Sequence, residues 1–160
     1  MRLTRFAPLA ALSLCLLAAC MPGGLGASKG SPFAPGAAEG EGVDGLIVGH
    51  RLMAAGEYEL ALKAYYRAAG EQGATVDVLS AIGSADLKLG RLGQAEQILR
   101  RATEKDERFV PAWNNLGVVL MEQGKAAEAA RVFQIAYGLD SGESDAIRQN
   151  LRLALAKKEK

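Results

Sequence analysis

Small and large apolar residues recur along this chain with a period of 34 residues. Two glycines, one large apolar residue and two alanines return in three registers, and no insertion separates one register from the next. The recurring positions are Gly49, Gly83 and Gly117; Gly56, Gly90 and Gly124; Ala61, Ala95 and Ala129; Tyr65, Leu99 and Phe133; and Ala68, Ala102 and Ala136. A period of this length indicates a chain built from repeated supersecondary units.

Within each unit the apolar spacing predicts two antiparallel helices joined by a tight turn. In the first unit these helices run over about residues 43–55 and 59–71. In the third unit Gly117 and Ala129 are small, which lets two helix backbones approach where they cross, and larger neighbours fill the space on either side. Gly124 lies at the turn, where a residue that is free to adopt positive φ ends the first helix.

Two positions depart from the repeated pattern. Gly45 stands where the third unit has Trp113, and a glycine inside a helix costs about 1 kcal/mol relative to alanine, so the start of the first helix is expected to fray. Asp86 stands at an otherwise apolar position of the second unit. An unpaired buried carboxylate is costly, so we expect the helix to rotate slightly, placing Asp86 in solvent and packing Leu87 or Leu89 instead. A buried functional carboxylate is the alternative.

A last helix is predicted over about residues 145–157. Ser144 is placed to cap its first turn, and the lysines at its end suit the negative end of the helix dipole. Its apolar stripe consists of Ile147, Leu151, Ala154 and Leu155. The terminal helix of a stack of repeats needs one apolar and one polar face, so residues 144–160 are expected to form a capping helix with a basic tail.

The third unit resembles a tetratricopeptide (TPR) repeat. The matching residues are Trp113, Leu116, Gly117, Leu120, Gly124, Ala129, Phe133 and Ala136. A single such unit cannot bury its own apolar face and needs neighbours. The resemblance implies an all-α fold, a right-handed superhelix (α-solenoid) of three helix-turn-helix repeats over residues 42–75, 76–109 and 110–143, followed by the capping helix.

In TPR domains the first helix of each repeat lines a concave groove that binds a partner, and the resemblance implies a corresponding groove here. The implied groove residues are Leu46, His50, Met53, Ser80, Ser84, Leu87, Asn114, Val118 and Met121. Small hydroxyls lie in the middle and methionines at both ends, and methionine adapts to irregular partners, which favours a peptide or helix with apolar anchors. The alternative is that Met53, Leu87 and Met121 pack between the repeats.

TPR domains that bind the acidic C-terminal tail of chaperones place lysine, asparagine and arginine at set positions of this groove. The corresponding positions here hold Leu46, His50, Ala81, Pro111 and Asn115. The carboxylate clamp of those domains is therefore absent, and binding of a chaperone tail is not expected.

The first 20 residues have the pattern of a bacterial export signal. Arg2 and Arg5 precede an apolar run over residues 6–19, which is too short for a bilayer core of roughly 20 residues but suits a signal peptide. The run ends in Leu17-Ala18-Ala19-Cys20, which resembles the lipobox of bacterial lipoproteins. We therefore expect a signal peptide over residues 1–19 and lipidation of Cys20. The alternative is an ordinary signal peptide with an incidental cysteine.

Residues 20–41 are expected to form a disordered tether behind the lipidated cysteine. The segment is rich in glycine, alanine, proline and serine, which cannot bury enough apolar surface to order it, and it would span about 25 Å. Met21 is not the aspartate that favours inner-membrane retention in the lipoproteins this resembles, so the resemblance implies the periplasmic face of the outer membrane.

The charge balance argues against nucleic acid as a partner. Removing residues 1–20 takes away two arginines and no acid, so 17 basic residues remain against 18 acidic ones. A net charge of minus one gives no field that attracts nucleic acid or anionic lipid headgroups. Contact with a membrane is therefore expected through the lipid alone.

Catalytic and metal sites are not expected. The chain has one histidine, His50, and its two cysteines are Cys15, inside the predicted signal peptide, and Cys20. It has no paired histidines or cysteines at metal-binding spacing and no phosphate-binding glycine loop. We therefore expect no enzyme activity, no cofactor, no metal ion and no small-molecule substrate.

As a whole, the chain resembles the TPR lipoproteins of the tight-adherence (Flp) pilus-assembly family, called TadD, in its lipobox, glycine-rich tether and three repeats. The resemblance implies a non-catalytic adaptor fixed to the envelope by lipid. Such an adaptor would capture a peptide or helix of an envelope component, such as a secretin or a pilus protein, and help to assemble or localise a pilus or secretion machine. The alternative is a docking regulator of a periplasmic cell-wall enzyme.

Overall fold

The computed structural model describes residues 44–159. In that range it contains seven α-helices and no strand: α1 (Gly45–Ala54), α2 (Tyr58–Gln72), α3 (Val76–Lys88), α4 (Leu92–Lys105), α5 (Val110–Glu122), α6 (Ala126–Leu139) and α7 (Asp145–Lys158). The predicted signal peptide, Cys20 and the predicted tether lie outside the described residues, so these expectations remain predictions.

The helices form three hairpins and a terminal helix. Helix α1 packs on α2, α3 on α4 and α5 on α6, and each hairpin packs on the next through α2 with α3 and α4 with α5. Helix α7 packs on α6, and the first helices α1, α3 and α5 lie in a row. This arrangement is a helical solenoid and confirms the predicted all-α fold.

Gly49, Gly83 and Gly117 occupy equivalent crossings in the three hairpins. A Cβ atom built on Gly83 or Gly117 would lie 2.5 Å from the nearest atom of the large apolar side chain on the second helix, which is Leu99 or Phe133. A Cβ atom on Gly49 would overlap the ring of Tyr65. Favourable carbon contacts lie at about 3.5–4.0 Å, so each crossing requires glycine. The predicted register of the three repeats is therefore confirmed.

The turn inside each hairpin also depends on glycine. Gly56, Gly90 and Gly124 have φ angles of +80°, +72° and +77°, a left-handed conformation that side chains disfavour. At the third turn the N–H of Gly124 donates to the carbonyl of Met121 at 3.1 Å, and the N–H of Lys125 donates to the carbonyl of Leu120 at 2.8 Å. Equivalent bond pairs close the other two turns, so the last carbonyls of α1, α3 and α5 are satisfied in one way.

The repeated apolar positions form the core. The six repeated alanines are all 0% exposed, and Tyr65, Leu99 and Phe133 are at most 1% exposed. Alanine at these positions lets neighbouring helices approach closely, while burial of each large side chain contributes about 2 kcal/mol. The sequence period is thus the period of core packing.

Ion pairs connect successive hairpins. Arg100 Nη2 donates to Glu128 Oε1 at 2.6 Å, and Lys125 Nζ donates to Glu96 Oε2 at 2.9 Å, so both pairs join the second hairpin to the third. Arg100 also donates to Glu96 at 2.7 Å within α4. The hydrogen bond from Lys125, followed by that from Arg100, lowers the pKa of Glu96 from 4.5 to about 2.

The expectation of a frayed start for α1 is wrong. Gly45 is buried, because α1 approaches α2 so closely there that an added Cβ atom would lie 2.6 Å from the carbonyl oxygen of Ala64. The N–H of Leu46 donates to Asp44 Oδ1 at 2.8 Å, which caps the helix. Backbone contact replaces the aromatic anchor that the third repeat has in Trp113.

The expectation that Asp86 reaches solvent is also wrong. Asp86 is 3% exposed, at the position that Leu52 and Leu120 occupy in the other repeats. Its Oδ1 lies 3.8 Å from Nη1 of Arg91, which also donates to Glu59 Oε1 at 2.6 Å. Burial raises the pKa of Asp86, and Arg91 opposes that rise. The turn between α3 and α4 therefore brings a cation to a carboxylate that the repeat pattern marks as a defect.

Helix α7 closes the C-terminal side of the stack. The N–H of Ile147 donates to the hydroxyl of Ser144 at 3.4 Å, as predicted, and Ile147 and Ala154 are 4% and 0% exposed. Leu155 was expected in the apolar stripe but is 37% exposed. It follows Ala154 by about 100° around the helix, which turns it away from α6.

The outer side of α1 has no neighbouring helix among the described residues, and its sequence differs there from the inner repeats. Asp44 and Arg51 are exposed at positions where the second repeat has Val78 and Ala85, both 0% exposed. We call this surface the charged end face. Charged residues replace apolar ones where the described stack begins.

A groove on the first helices as the candidate functional site

The largest pocket that we consider lies on the row of first helices. It has a volume of about 410 Å³ and opens between α1, α3 and α5. Its lining residues are His50, Met53, Tyr65, Asp77, Ser80, Ala81, Ser84, Phe109, Pro111 and Asn115. We call it the groove pocket. Its size suits a side chain or a short peptide stretch, and no lysine or arginine lines it.

Four of the nine predicted groove residues line this pocket: His50, Met53, Ser80 and Ser84. Leu87 and Val118 line a neighbouring pocket of about 330 Å³ between α3 and α5, and Val118 and Met121 line one of about 180 Å³ beside α7. The predicted strip is thus divided among three openings along the row of first helices.

Leu46 and Asn114, the remaining two predicted residues, are engaged with the protein itself. Leu46 is half-buried and packs against the core of the first two hairpins. The side-chain oxygen of Asn114 accepts a hydrogen bond from the amide of Asn150 on α7 at 3.1 Å. Neither observation tests whether these residues meet a partner.

The two interpretations of Met53, Leu87 and Met121 both hold in part. All three are half-buried and pack against core clusters, as the packing alternative expects. Each also lines a pocket on the row of first helices. These side chains therefore support the repeats with one side and offer an apolar surface with the other.

His50 and Tyr65 form the polar wall of the groove pocket on the side of the first hairpin. The Tyr65 hydroxyl lies 3.1 Å from Nδ1 of His50, and the two rings meet edge to face with centroids 5.5 Å apart. Burial raises the pKa of Tyr65 to about 12, so the hydroxyl stays protonated at neutral pH. It can then donate to the neutral imidazole, which fixes the orientation of the exposed histidine.

Asp77 contributes the charge of the groove pocket. It lies in the first turn of α3, is exposed, and is the one residue among the lining set that carries a formal charge when histidine is neutral. Ser80, one turn later, is 5% exposed, so its hydroxyl lies at the base of the pocket. The pocket therefore presents a carboxylate, hydroxyls and an amide, with apolar side chains at its edge.

Sequence reasoning missed Asp77, Tyr65 and Phe109 as lining residues. A signal for Asp77 was present, because it precedes Pro111 by one period of 34 residues and Pro111 was already placed in the groove. Tyr65 was assigned to the core, where it also lies. Phe109 precedes α5, and a residue in a connection between helices has no position in a helical pattern.

Within residues 44–159, no three histidine, cysteine, aspartate or glutamate side chains are grouped so that they could hold a metal ion. No helix in the same range is both long and apolar enough to cross a membrane. The chemistry available in the groove pocket is therefore hydrogen bonding, charge and apolar contact.

Comparison with known proteins identifies the fold. Residues 80–144 match the family model of the tetratricopeptide repeat. Among solved structures, the Sgt2 TPR domain from Aspergillus fumigatus is 25% identical, with a TM-score of 0.69 over 72% of this chain and 77% of that one. No curated protein sequence matches the chain.

Two further TPR structures were solved with peptides. The second TPR domain of human RPAP3, in complex with the HSP70 peptide SGPTIEEVD, is 23% identical, with a TM-score of 0.64 over 71% of this chain and 93% of that one. The TPR2B domain of yeast Sti1, in a pHsp70 complex, is 22% identical, with a TM-score of 0.67 over 71% of this chain and 94% of that one. The described helices thus form a TPR-like solenoid.

Proposed function

We propose that this protein is a non-catalytic adaptor that captures a segment of a partner protein on the row of first helices. The groove pocket is the observation that carries the proposal, because it is open, lies on three successive repeats and combines apolar edges with polar side chains. Proteins of the same fold bind peptides, as the RPAP3 and Sti1 complexes illustrate. Repetition of one hairpin supplies such a surface without any reactive group.

The segment proposed as the ligand differs from a chaperone tail. The positions that form the carboxylate clamp in chaperone-binding TPR domains hold Leu46, His50, Ala81, Pro111 and Asn115 here. Four of these residues line the groove pocket or its edge, and none is a lysine or arginine. An acidic tail would meet no fixed positive charge there.

We further propose that lipid on Cys20 fixes the adaptor to the periplasmic face of the outer membrane, where it helps to assemble or localise a pilus or secretion machine of the Flp type. The support is in the sequence: the Leu17-Ala18-Ala19-Cys20 motif, the glycine-rich segment up to residue 41 and the repeats behind it. The lipid would hold the protein at the membrane while the tether lets the groove reach its partner.

The groove is tested by replacing Met53 and Met121 with glutamate in one variant. Two carboxylates on the half-buried edge of the groove should abolish crosslinking to the partner in intact envelopes, because apolar anchors would meet charge. The matched control replaces Leu60 and Ile135, which are 47% and 42% exposed on the second helices α2 and α6. The control should crosslink normally.

The measurement is mass spectrometry of the crosslinked material together with circular dichroism and thermal unfolding of each variant. If the methionine variant keeps its partner, the row of first helices is not the binding surface. If it unfolds, Met53 and Met121 serve the core, and the proposal then depends on the inward-facing residues Ser80 and Ser84 alone.

The anchor is tested with Cys20→Ala. A lipid attached at this cysteine is the proposed link to the membrane, so the variant should move from the membrane fraction to the soluble fraction of disrupted cells, as measured by immunoblotting. Retention of the variant on membranes after an alkaline wash would contradict lipid anchoring.

The cellular role is tested by deletion of the gene. Loss of surface pili, scored by electron microscopy, supports the pilus or secretion role. Altered cell shape or detergent sensitivity with normal pili would instead support docking on a cell-wall enzyme.

A further inference from the structure

We infer that the groove pocket takes a basic side chain, lysine or arginine, from the partner segment. This inference rests on the proposed function and adds the chemistry that selects the segment. It follows from the charge, the unpartnered polar groups and the apolar edges of one pocket.

The charge of the pocket has one sign. Asp77 lines it, and no lysine or arginine does. Within residues 44–159 the Asp77 carboxylate has neither an ion pair nor a hydrogen bond, whereas Asp86, Glu59 and Glu96 are all paired with arginine or lysine. An unpaired carboxylate at the mouth of a cleft attracts a cation and repels an acidic peptide.

A buried hydroxyl in the same pocket also lacks a partner. Ser80 is 5% exposed, yet its side chain makes no hydrogen bond with any of the described residues. Ser84, one turn along α3, and Asn115 on α5 line the pocket beside it. A hydroxyl and an amide oxygen can each accept a hydrogen bond, and lysine offers three donors and arginine five, so one cationic head can satisfy several of these groups together.

The edges of the pocket suit the stem of such a side chain. Met53 lies on the side of α1, and Phe109 lies before α5. Lysine and arginine carry three or four methylene groups that pack on apolar surface while the charged head reaches polar groups. The pocket volume of about 410 Å³ leaves room for one long side chain and part of the backbone that carries it.

An anion is the competing ligand, because the N-terminal ends of α3 and α5 face this region and each helix end carries about half a positive charge. The donors there are largely used. The N–H of Val78 donates to the Thr75 hydroxyl at 3.3 Å, the N–H of Ala112 donates to the Phe109 carbonyl at 3.1 Å, and Pro111 has no N–H. The full negative charge of Asp77 lies at the same place, so a cation is favoured over an anion.

The inference is tested by selecting a random nonapeptide library displayed on phage against the full chain, purified in mild detergent and immobilised. The expected result is enrichment of peptides that carry lysine or arginine at one fixed position. Enriched peptides without a basic residue would overturn the inference but leave peptide capture intact. A library from which nothing is enriched would overturn both the inference and the proposed function.

Matched variants assign the selectivity to Asp77. For the best enriched peptide, Asp77→Asn should weaken binding by about fivefold, measured by fluorescence anisotropy, since an exposed ion pair contributes up to about 1 kcal/mol. Glu104→Gln removes one carboxylate that lines a different pocket and should leave the affinity unchanged. Selection against Asp77→Lys should enrich acidic peptides. Equal affinity of the wild type and Asp77→Asn, with both folded by circular dichroism, would overturn the inference.

Discussion

Gly83 illustrates how much a single hydrogen atom in place of a side chain determines in this fold. Replacement of Gly83 by alanine would place Cβ 2.5 Å from Cγ of Leu99, a residue that is 0% exposed and has no free space to move into. Forcing α3 and α4 apart should lower the free energy of unfolding by about 1–3 kcal/mol. Urea denaturation followed by circular dichroism measures this change.

Gly93 provides the control for that substitution. It lies in α4, and an added Cβ atom would meet nothing within 4 Å. Alanine has the higher helix propensity, so Gly93→Ala should leave the protein as stable as the wild type or more stable by up to about 1 kcal/mol. A similar response of Gly83 and Gly93 to alanine would show that the crossing does not depend on close approach.

Asp86 makes the opposite prediction, that a change in the core increases stability. Leucine occupies the equivalent position in the first and third repeats, and the ion pair of Asp86 with Arg91 is long at 3.8 Å. Asp86→Leu should therefore raise the free energy of unfolding at pH 7 by about 1–2 kcal/mol. Arg91→Met, which leaves the buried carboxylate without its cation, should lower it by about 2 kcal/mol.

The pH dependence of the Asp86 effect has a defined sign. Because the pKa of Asp86 is higher in the folded protein, its ionised form opposes folding. The relative stability of the wild type is present at low pH and is lost as the pH rises through that pKa. The advantage of Asp86→Leu over the wild type should accordingly shrink on acidification, and an advantage that grows at low pH would contradict the assignment of burial as the cause.

The two errors of prediction at single residues have one physical origin. The periodic pattern shows that position 86 faces the core, but Arg91 reaches Asp86 only because the turn at Gly90 bends back toward α3. Gly45 was expected to weaken α1, whereas close contact with α2 requires it. Contacts made by long side chains and by backbone are not encoded in the spacing of apolar residues.

At the scale of elements, the joint between the second and third hairpins depends on the carboxylate of Glu96. Lys125 and Arg100 lower its pKa from 4.5 to about 2. A depressed pKa contributes stability that is present above 4.5 and is lost as the pH falls toward about 2. Because Lys125 and Arg100 are 45% and 42% exposed, solvent screening limits the contribution to about 1 kcal/mol.

The variant Glu96→Gln tests this joint. It should lower the free energy of unfolding by about 1 kcal/mol at pH 7 and flatten the loss of stability between pH 4.5 and 2. Glu104→Gln, at an exposed site of the same helix, should leave the acid limb unchanged. Identical acid unfolding curves for the wild type and Glu96→Gln would show that the joint does not depend on this carboxylate.

The elements themselves were largely predictable. Helix α7 was expected over about residues 145–157 and runs over Asp145–Lys158, because its cap, stripe and terminal lysines all indicate the same boundaries. The orientation of α7 was less predictable. Leu153 is 51% exposed and Leu155 37% exposed, since the angle at which the last helix meets α5 and α6 is set by packing.

At the scale of the whole described domain, the repeat register predicts which helices lie in a row, and therefore where a partner would bind. It does not predict how that row is divided into pockets. The division depends on side-chain size at particular points, such as Ser80 and Ser84 opening the groove pocket and Leu87 separating it from the next opening. The charge at Asp77 was equally hidden, because nothing in a helical period marks a lone exposed aspartate as facing a cleft.

The charged end face has a consequence for self-association. Stacking proteins built from one repeated hairpin risk polymerisation, since the last unit of one copy resembles the surface on which each inner unit rests. A second copy arriving at α1 would have to dehydrate Asp44 and Arg51 where Val78 and Ala85 make apolar contacts inside the chain. That desolvation opposes the growth of filaments through α1 and favours discrete particles at high concentration.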